Sequence, residues 1–306
     1  MPQPLKHLLS TQSLKKSEID EILALAKEME PYSQKKKQGD LMKGKVLAAL
    51  FYEPSTRTRL SFETAMLRLG GEVISVMDVS TSSIAKGESL TDTAKVISQF
   101  VDIVAIRHSQ NGAAHEFSLG SSVPVINAGD GISQHPSQAL LDAYTIQKEL
   151  GKIDGLTIAI SGDLKYGRTP NSLAFLLSNY NVKFRFISPK ELKMKPEVIT
   201  HLNRLNIPYE ETTQFEEGIK NVDVLYMTRI QKERFENFKE YERLKNVYVL
   251  NKKLVEKNNP KMLIMHPLPR VNEISTDVDE LKNAAYFRQV ENGVAVRMAI
   301  ISHLLS

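Results

Sequence analysis

FYEPSTRTRLSFE, residues 51–63, is the most informative stretch for the fold, because an apolar run ends in it and a helical pattern begins. The apolar run, VLAALFY at 46–52, is continuous rather than alternating, which is typical of a strand buried on both faces of a parallel sheet. Beyond the proline, Phe62, Met66 and Leu69 recur at the spacing of one helix face. The stretch therefore predicts a parallel strand followed at once by a helix, with polar residues at the junction.

The junction itself carries three hydroxyl side chains and two guanidinium groups. Ser55 suits the N-cap of the predicted helix, whose first backbone N–H groups have no helical partner. A helix N-terminus attracts anions, and arginine favours bidentate contact with phosphate or carboxylate. Capping does not account for both Arg57 and Arg59. We therefore interpret STRTR as an anion site, the alternative being an N-cap followed by solvated arginines.

Strand-like apolar runs alternate with helical patterns along the whole chain, which predicts an α/β fold with two parallel-sheet domains. The pattern divides near the middle. We predict a first domain over 1–134, completed by a C-terminal helix at 288–306, then an interdomain helix over 135–150 and a second domain over 151–287.

Composition places the 306-residue chain among ordinary globular proteins, with 42% hydrophobic and 25% charged residues. No stretch approaches the ~18 consecutive apolar residues of a membrane span, and the first residues lack an adequate signal-peptide core. We therefore expect a cytoplasmic protein without membrane contact. The absence of cysteine excludes disulfides, thiolate nucleophiles and Cys-ligated zinc within this chain. The formal charge of +4 suits an anionic small molecule as well as nucleic acid.

Further polar clusters follow other apolar runs. They contain Arg107, His135, Gln138, Arg168, Arg229, Gln231 and the segment HPLPR at 266–270. Ligands of parallel α/β sheets bind beyond the carboxyl ends of the strands, so we expect these segments to converge on an active site in the cleft between the two domains. The arginines would make that cleft cationic. The expected ligands therefore carry several negative charges, such as a phosphate and carboxylates.

Six segments, in order, resemble the aspartate carbamoyltransferase family: EPSTRTRLSFE, RHSQNGAA, NAGDGISQHPSQALLD, GDLKYGRT, LYMTRIQKER and HPLPRVNEISTDVD. The resemblance runs from about residue 45 to the C-terminal helix. STRTR and HPxQ are shared across carbamoyltransferases, whereas MTRxQ and HPLPR point to the aspartate enzyme. Members of this family transfer the carbamoyl group of carbamoyl phosphate to the α-amine of L-aspartate, an early step of pyrimidine biosynthesis. The resemblance implies no cofactor, no metal and no covalent enzyme intermediate.

The resemblance also implies a role for individual residues. The first domain binds carbamoyl phosphate and the second binds aspartate. The phosphate is held by Ser55, Thr56, Arg57 and Thr58, and the carbamoyl group is surrounded by Thr58, Arg107, His135 and Gln138. Leu268 offers its backbone carbonyl, and the Leu268–Pro269 bond is cis. Aspartate is bound by Lys86, Arg168, Arg229 and Gln231, and the catalytic set is Arg57, Thr58, Lys86, Arg107 and His135.

The segment STSSIAKGESLTDT, residues 80–93, is by itself most simply a flexible surface loop. The resemblance implies instead that Ser82 and Lys86 reach into the active site of a neighbouring chain in a homotrimer. The alignment there rests on Lys-Gly-Glu, so the choice between Ser82 and Ser83 stays open. Whether a separate regulatory chain binds also stays open.

The implied chemistry is acyl transfer, in which a neutral amine attacks the carbamoyl carbon and phosphate leaves. Negative charge develops on the carbamoyl oxygen, where Thr58, Arg107 and His135 are the candidate stabilising donors. No nucleophilic side chain is needed, and the leaving phosphate is our candidate acceptor of the amine proton. The polar segment after Gln231 is expected to close over aspartate, the alternative being a plain solvated helix and loop.

Two alternative functions are weighed against this one. A carbamoyltransferase for ornithine is disfavoured because Arg229 would repel a cationic side chain, and HPLPR lacks the cysteine that ornithine enzymes usually carry. A non-catalytic anion-binding protein is disfavoured by the intact arginine set. Nucleic acid is not expected as a partner, since the chain has no basic stripe with interleaved aromatic residues.

Overall fold

The computed structural model describes residues 5–37, 39–77, 87–232, 235 and 237–306. The chain divides into two compact units, one formed by 1–144 with 291–306 and the other by 145–290. Each unit is built on one parallel sheet, so the predicted α/β class with two parallel-sheet domains is confirmed. None of the described helices is both long and apolar enough to cross a membrane.

The first unit contains a four-stranded sheet in the order β2-β1-β3-β4, with every neighbouring pair parallel. Its strands are β1 (Val46–Phe51), β2 (Glu72–Val76), β3 (Ile103–His108) and β4 (Val125–Asp130). Its helices are α1 (Lys16–Ser33), α2 (Thr56–Arg68), α3 (Leu90–Ile97) and α4 (Ala113–Gly120). The predicted strand and helix around STRTR are thus β1 and α2, and α2 buries Phe62 and Met66 as its spacing indicates.

The second unit contains a five-stranded parallel sheet in the order β7-β6-β5-β8-β9. Its strands are β5 (Thr157–Ser161), β6 (Lys183–Ile187), β7 (Tyr209–Thr212), β8 (Val224–Met227) and β9 (Leu263–Met265). Its helices are α6 (Arg168–Leu177), α7 (Pro196–Arg204), α8 (Phe215–Gly218), α9 (Phe238–Leu244) and α10 (Lys252–Asn258). Ala159, Leu225 and Ile264, one from each of three neighbouring strands, are fully buried in its core.

Two long helices contain the points where the chain passes between units. They are α5 (Pro136–Leu150) and α11 (Tyr286–Leu305). The predicted helices at 135–150 and 288–306 correspond to them in the chain. The assignment of one substrate to each domain stays a prediction.

Strand order identifies one preferred ligand position in each sheet. In the first unit the chain leaves β1 toward β2 on one side, and β3 lies on the other side of β1. In the second unit β5 has β6 on one side and β8 on the other. Where the connections that follow two neighbouring strands depart in opposite directions, they leave a crevice beyond the carboxyl ends of those two strands. The strand pairs β1/β3 and β5/β8 are therefore where each unit is open to a ligand.

The close approach of the β5 and β8 ends depends on Gly162. This residue has φ of 118°, and a Cβ there would collide with the backbone carbonyl of Thr228. We expect Gly162→Ala to cost about 1–2 kcal/mol for the left-handed conformation and a further ~1–3 kcal/mol for overpacking. Urea unfolding measures the loss.

Gly155→Ala is the matched control for this prediction. Gly155 also has positive φ, at 82°, but the nearest atom to an added Cβ is Lys152 Nζ at 3.8 Å. It should lose only the conformational part, about 1–2 kcal/mol. Equal losses of stability in the two variants would contradict the close approach of the β5 and β8 ends at Gly162.

Candidate active site

The helix that follows β1 begins with an open N-terminus. α2 starts at Thr56, and Ser55 occupies the N-cap position in an extended conformation. The Ser55 side chain accepts no capping hydrogen bond from the described residues, so the first N–H groups keep their capacity to bind. They lie at the positive end of the helix dipole, where an anion is favoured. Arg57 is exposed at this end and Thr58 is buried.

The two arginines of STRTR have different surroundings. Arg59 Nε lies 3.4 Å from Glu63 Oε1, one helical turn further on. Glu63 also accepts a hydrogen bond from Ser75 Oγ at 2.7 Å, which connects this pair to β2. Arg59 therefore supports the packing of α2 beside the sheet, and Arg57 is the better candidate for ligand contact.

Arg107 stands at the carboxyl end of β3, beside the end of β1. Its Nη2 donates to Glu53 Oε1 at 2.9 Å, and only 8% of the residue is exposed. The backbone N–H of Tyr52 donates to the Arg107 carbonyl at 2.9 Å, so the β1–α2 loop is fastened to β3 twice. The carboxylate holds the guanidinium in one position, and the planar donor group of arginine suits the oxygen atoms of a phosphate or carbamoyl group.

His135 and Gln138 come from the start of α5, after β4. His135 is 4% exposed, and its backbone carbonyl accepts from the Gln138 N–H at 3.0 Å. Asp130, at the end of β4, fixes the preceding turn by accepting from Asn127 Nδ2 and from the Gln134 N–H, both at 3.0 Å. Three neighbouring strands of the first unit thus deliver predicted residues to one edge of their sheet.

The residues of the second unit that are predicted to bind aspartate also follow the strands beside its opening, β5 and β8. Arg168 is the first residue of α6, after β5, and Arg229 lies two residues beyond β8. Asp163 is fully buried between β5 and α6 and accepts from the Tyr166 N–H at 2.9 Å. That turn sets the start of α6 and hence the position of Arg168. Gln231 follows Arg229 and is partly buried.

The loop after β9 is organised by a buried histidine and carboxylate. His266 Nε2 lies 2.8 Å from Glu273 Oε1, with 1% and 7% of the two side chains exposed. His266 Nδ1 accepts the Leu268 N–H at 2.8 Å, so a neutral imidazole carries its proton on Nε2, the nitrogen beside Glu273. Burial lowers the pKa of His266, against the opposite effect of Glu273. Although burial opposes it, the contact with His266 and the backbone N–H groups hold the pKa of Glu273 below its usual value.

This loop presents Leu268 in an unusual conformation. Leu268 has φ of 57° and the Leu268–Pro269 bond is cis, which confirms the isomer that the sequence implied. The backbone N–H of Asn272 donates to Glu273 Oε2 at 3.1 Å, so both carboxylate oxygens hold the loop. Glu273 and His266 therefore fix the carbonyl that Leu268 is predicted to offer.

Three carboxylates that support predicted residues were not singled out from the sequence. They are Glu53 beside Arg107, Asp142 beside Gln138 and Glu273 beside His266. Asp142 had a sequence signal, since it stands four residues after Gln138 on one helix face. The other two had none in their spacing. Ser82, Ser83 and Lys86 lie outside the described residues, and their predicted roles stay predictions.

Two family models match almost the whole chain. The aspartate/ornithine carbamoyltransferase carbamoyl-P binding domain matches residues 6–148. The Asp/Orn binding domain of the same family matches residues 154–304.

Individual relatives agree with these matches. The chain is 53% identical to the aspartate carbamoyltransferase catalytic subunit of Methanocaldococcus jannaschii over 302 residues, which is 98% of each chain. It is 52% identical to that of Clostridium perfringens over 303 residues, again 98% of each. The solved M. jannaschii catalytic subunit superposes with a TM-score of 0.91 at 53% identity, over 98% of both chains. Aspartate transcarbamoylase of Trypanosoma cruzi, solved with carbamoyl phosphate and aspartate, gives 0.92 at 36% identity, over 98% of this chain and 97% of that one.

The His266–Glu273 contact yields a stability prediction. In Glu273→Gln, one of the two carboxylate oxygens becomes an NH2 group that faces either His266 Nε2–H or the backbone N–H of Asn272. A donor then faces a donor in a buried site, which costs about 1–3 kcal/mol. Urea unfolding measures this loss.

Glu210→Gln is the control, because Glu210 pairs with Arg185 at 2.9 Å but is 70% exposed. We expect a change within about 0.5 kcal/mol for it. A Glu273→Gln variant as stable as this control would contradict the proposed fixation of the Leu268 loop.

Proposed function

Because the chain belongs to the aspartate/ornithine carbamoyltransferase family, we propose that it is an aspartate carbamoyltransferase. It transfers the carbamoyl group of carbamoyl phosphate to the α-amine of L-aspartate, giving N-carbamoyl-L-aspartate and phosphate. The observation that carries this assignment is the end-to-end match to catalytic subunits of that name, at 53% identity over 98% of both chains. We place the reaction in pyrimidine biosynthesis in the cytoplasm.

The phosphate of carbamoyl phosphate binds in this proposal at the start of α2. Supporting this, the first N–H groups of α2 have no side-chain cap among the described residues and Arg57 stands exposed beside them. Backbone N–H groups at a helix start and a guanidinium together match the charge and geometry of a phosphate. Ser55, Thr56 and Thr58 add hydroxyl groups at the same place.

The carbamoyl group lies next to the phosphate, at the ends of β3 and β4. Thr58, Arg107 and His135 direct donors at the carbamoyl oxygen, which gains negative charge as the amine attacks. Glu53 holds Arg107 in place for this role. The Gln138 side chain and the Leu268 carbonyl accept hydrogen bonds from the carbamoyl nitrogen, which is only a donor.

The reaction then needs no covalent intermediate on the protein. A new bond forms between the aspartate nitrogen and the carbamoyl carbon, and the bond from that carbon to the phosphate oxygen breaks. The proton released by the amine passes to the departing phosphate. The contribution of the protein is to orient two anions and to stabilise the developing oxyanion.

Aspartate is bound in this proposal by Arg168, Arg229 and Gln231. Two guanidinium groups at the ends of β5 and β8 suit two carboxylates, and Arg229 disfavours an amine whose side chain is cationic. Lys86 of a neighbouring chain adds a further cation. We therefore favour aspartate over ornithine as the acceptor.

We extend the proposal to a homotrimer, in which Ser82 and Lys86 enter the active site of a neighbouring chain. The first unit supports it with large apolar side chains at its surface on α2 and near the edge strand β2. Leu60, Leu67, Ile74 and Met77 are between 48% and 60% exposed. Apolar surface of this kind is typical of protein contacts.

The test is a product assay with carbamoyl phosphate and either L-aspartate or L-ornithine. We expect carbamoylated product with aspartate, at a kcat/KM at least about 100-fold above that with ornithine, because a site built for a carboxylate rejects an ammonium group. Detection of both products by mass spectrometry gives the ratio directly.

Two results would overturn the assignment. Product with ornithine alone would mean that Arg229 does not select the acceptor. No product with either amine, from a folded trimer, would leave a non-catalytic anion-binding protein as the better description.

A further inference from the structure

A buried carboxylate on α5 contacts one of the proposed carbamoyl-binding residues. Gln138 Nε2 donates to Asp142 Oδ1 at 2.8 Å, one helical turn apart. Asp142 is fully buried, and Gln138 is 9% exposed. The mechanism above assigns no role to Asp142.

Asp142 is accompanied by a buried guanidinium. Arg297, on α11, is 4% exposed, and burial lowers its pKa to about 10 while the charge of Asp142 acts in the opposite direction. Arg297 Nη1 donates to Ser61 Oγ at 3.0 Å, and the guanidinium lies 5.0 Å from the centre of the Phe62 ring. Both contacts are to α2, so Arg297 packs against the helix whose N-terminus is proposed to bind the phosphate.

The pairing with Asp142 decides which way the Gln138 amide faces. In this hydrogen bond Gln138 Nε2 donates and Asp142 Oδ1 accepts, and a carboxylate oxygen is an acceptor. The amide must therefore turn its NH2 group to Asp142, and its Oε1 must face away from that carboxylate. Oε1 receives no hydrogen bond from the part of the chain that the structure describes. Gln138 Oε1 can therefore accept a hydrogen bond from an N–H group of a ligand.

We propose that Asp142 is a positioning residue that locks Gln138 with Oε1 toward the ligand, so that the site selects an acyl phosphate carrying an NH2 group. This inference rests on the proposed function, in which Gln138 meets the carbamoyl nitrogen. A carbamoyl group offers two N–H donors to Oε1. An acetyl group of nearly the same shape offers a methyl, which leaves the fixed acceptor without a hydrogen bond.

Asp142→Asn tests the lock with the smallest change of shape. The new amide can present an NH2 group to Gln138, which lets the Gln138 amide rotate and turn its own NH2 toward the ligand. We expect the Kd of carbamoyl phosphate to rise about tenfold, as for one lost ligand hydrogen bond. The Kd values of acetyl phosphate and inorganic phosphate should stay within about twofold. Calorimetric titration of the trimer with each of the three compounds measures this.

A double-mutant cycle tests whether Asp142 acts by orienting the Gln138 amide or through a general effect on the structure. Gln138→Ala should by itself remove most of the preference for carbamoyl over acetyl phosphate. Asp142→Asn added to Gln138→Ala should then change the preference no further, because Asp142 acts through Gln138. Asp142→Ala, which also frees the Gln138 amide, is measured alongside in case the first variant fails to fold.

Glu30→Gln is the matched control, because Glu30 is a carboxylate on α1 that contacts the same helix α5. Tyr144 on α5 donates to Glu30 Oε1 at 2.7 Å, so this substitution also converts a carboxylate acceptor of α5 to an amide. It should leave the preference between the two acyl phosphates unchanged.

The proposal is overturned if folded Asp142 variants keep the wild-type preference, or if all three ligands weaken equally. It is also overturned if the effects of Asp142→Asn and Gln138→Ala simply add. Failure of the proposed function has a different signature, since the wild-type chain would then form no carbamoylated aspartate.

Discussion

The parallel direction of every strand is the constraint on which the rest of this structure depends. It brings the carboxyl ends of the strands in each sheet to one edge, and the strand orders create an opening beside β1 and another beside β5. Residues far apart in the chain become neighbours there: the start of α2 lies after β1, beside Arg107 at the end of β3. The strand topology therefore determines where the candidate site lies, and the individual loops determine which side chains stand there.

Concentrating positive charge at these edges creates a second requirement. A buried cation is costly unless it is paired, and a polar group that must face a ligand has to be held in one orientation. The structure meets both needs with carboxylates placed one layer behind the residues that are proposed to face the ligand. Glu53 holds Arg107, Asp142 holds Gln138, and Glu273 holds His266 and the loop that carries Leu268. None of the three carboxylates is proposed to contact substrate. Each of them positions a residue that is proposed to do so.

The sequence predicted those parts of the site that follow from local pattern. The β1–α2 junction was predictable because a continuous apolar run, a proline and a helical stripe stand side by side, and STRTR falls where a helix has unpaired N–H groups. The supporting carboxylates were harder to foresee. Glu53 reaches Arg107 across 54 positions through the β1–β3 pairing, and Glu273 reaches His266 through a loop without periodicity. The difference between Arg57 and Arg59 needed the Glu63 contact, although its spacing of four residues was visible in the sequence.

The most direct test of the account is calorimetric binding of carbamoyl phosphate to the wild-type chain, Arg57→Ala and Arg59→Ala. The two arginines stand in one motif, so composition and local charge change equally, but only Arg57 is assigned to the phosphate. We predict a loss of at least about 30-fold in affinity for Arg57→Ala, in line with a charge-assisted contact of 2 kcal/mol or more, and less than about threefold for Arg59→Ala. Equal losses, or a larger loss for Arg59→Ala, would contradict the anion site at the start of α2.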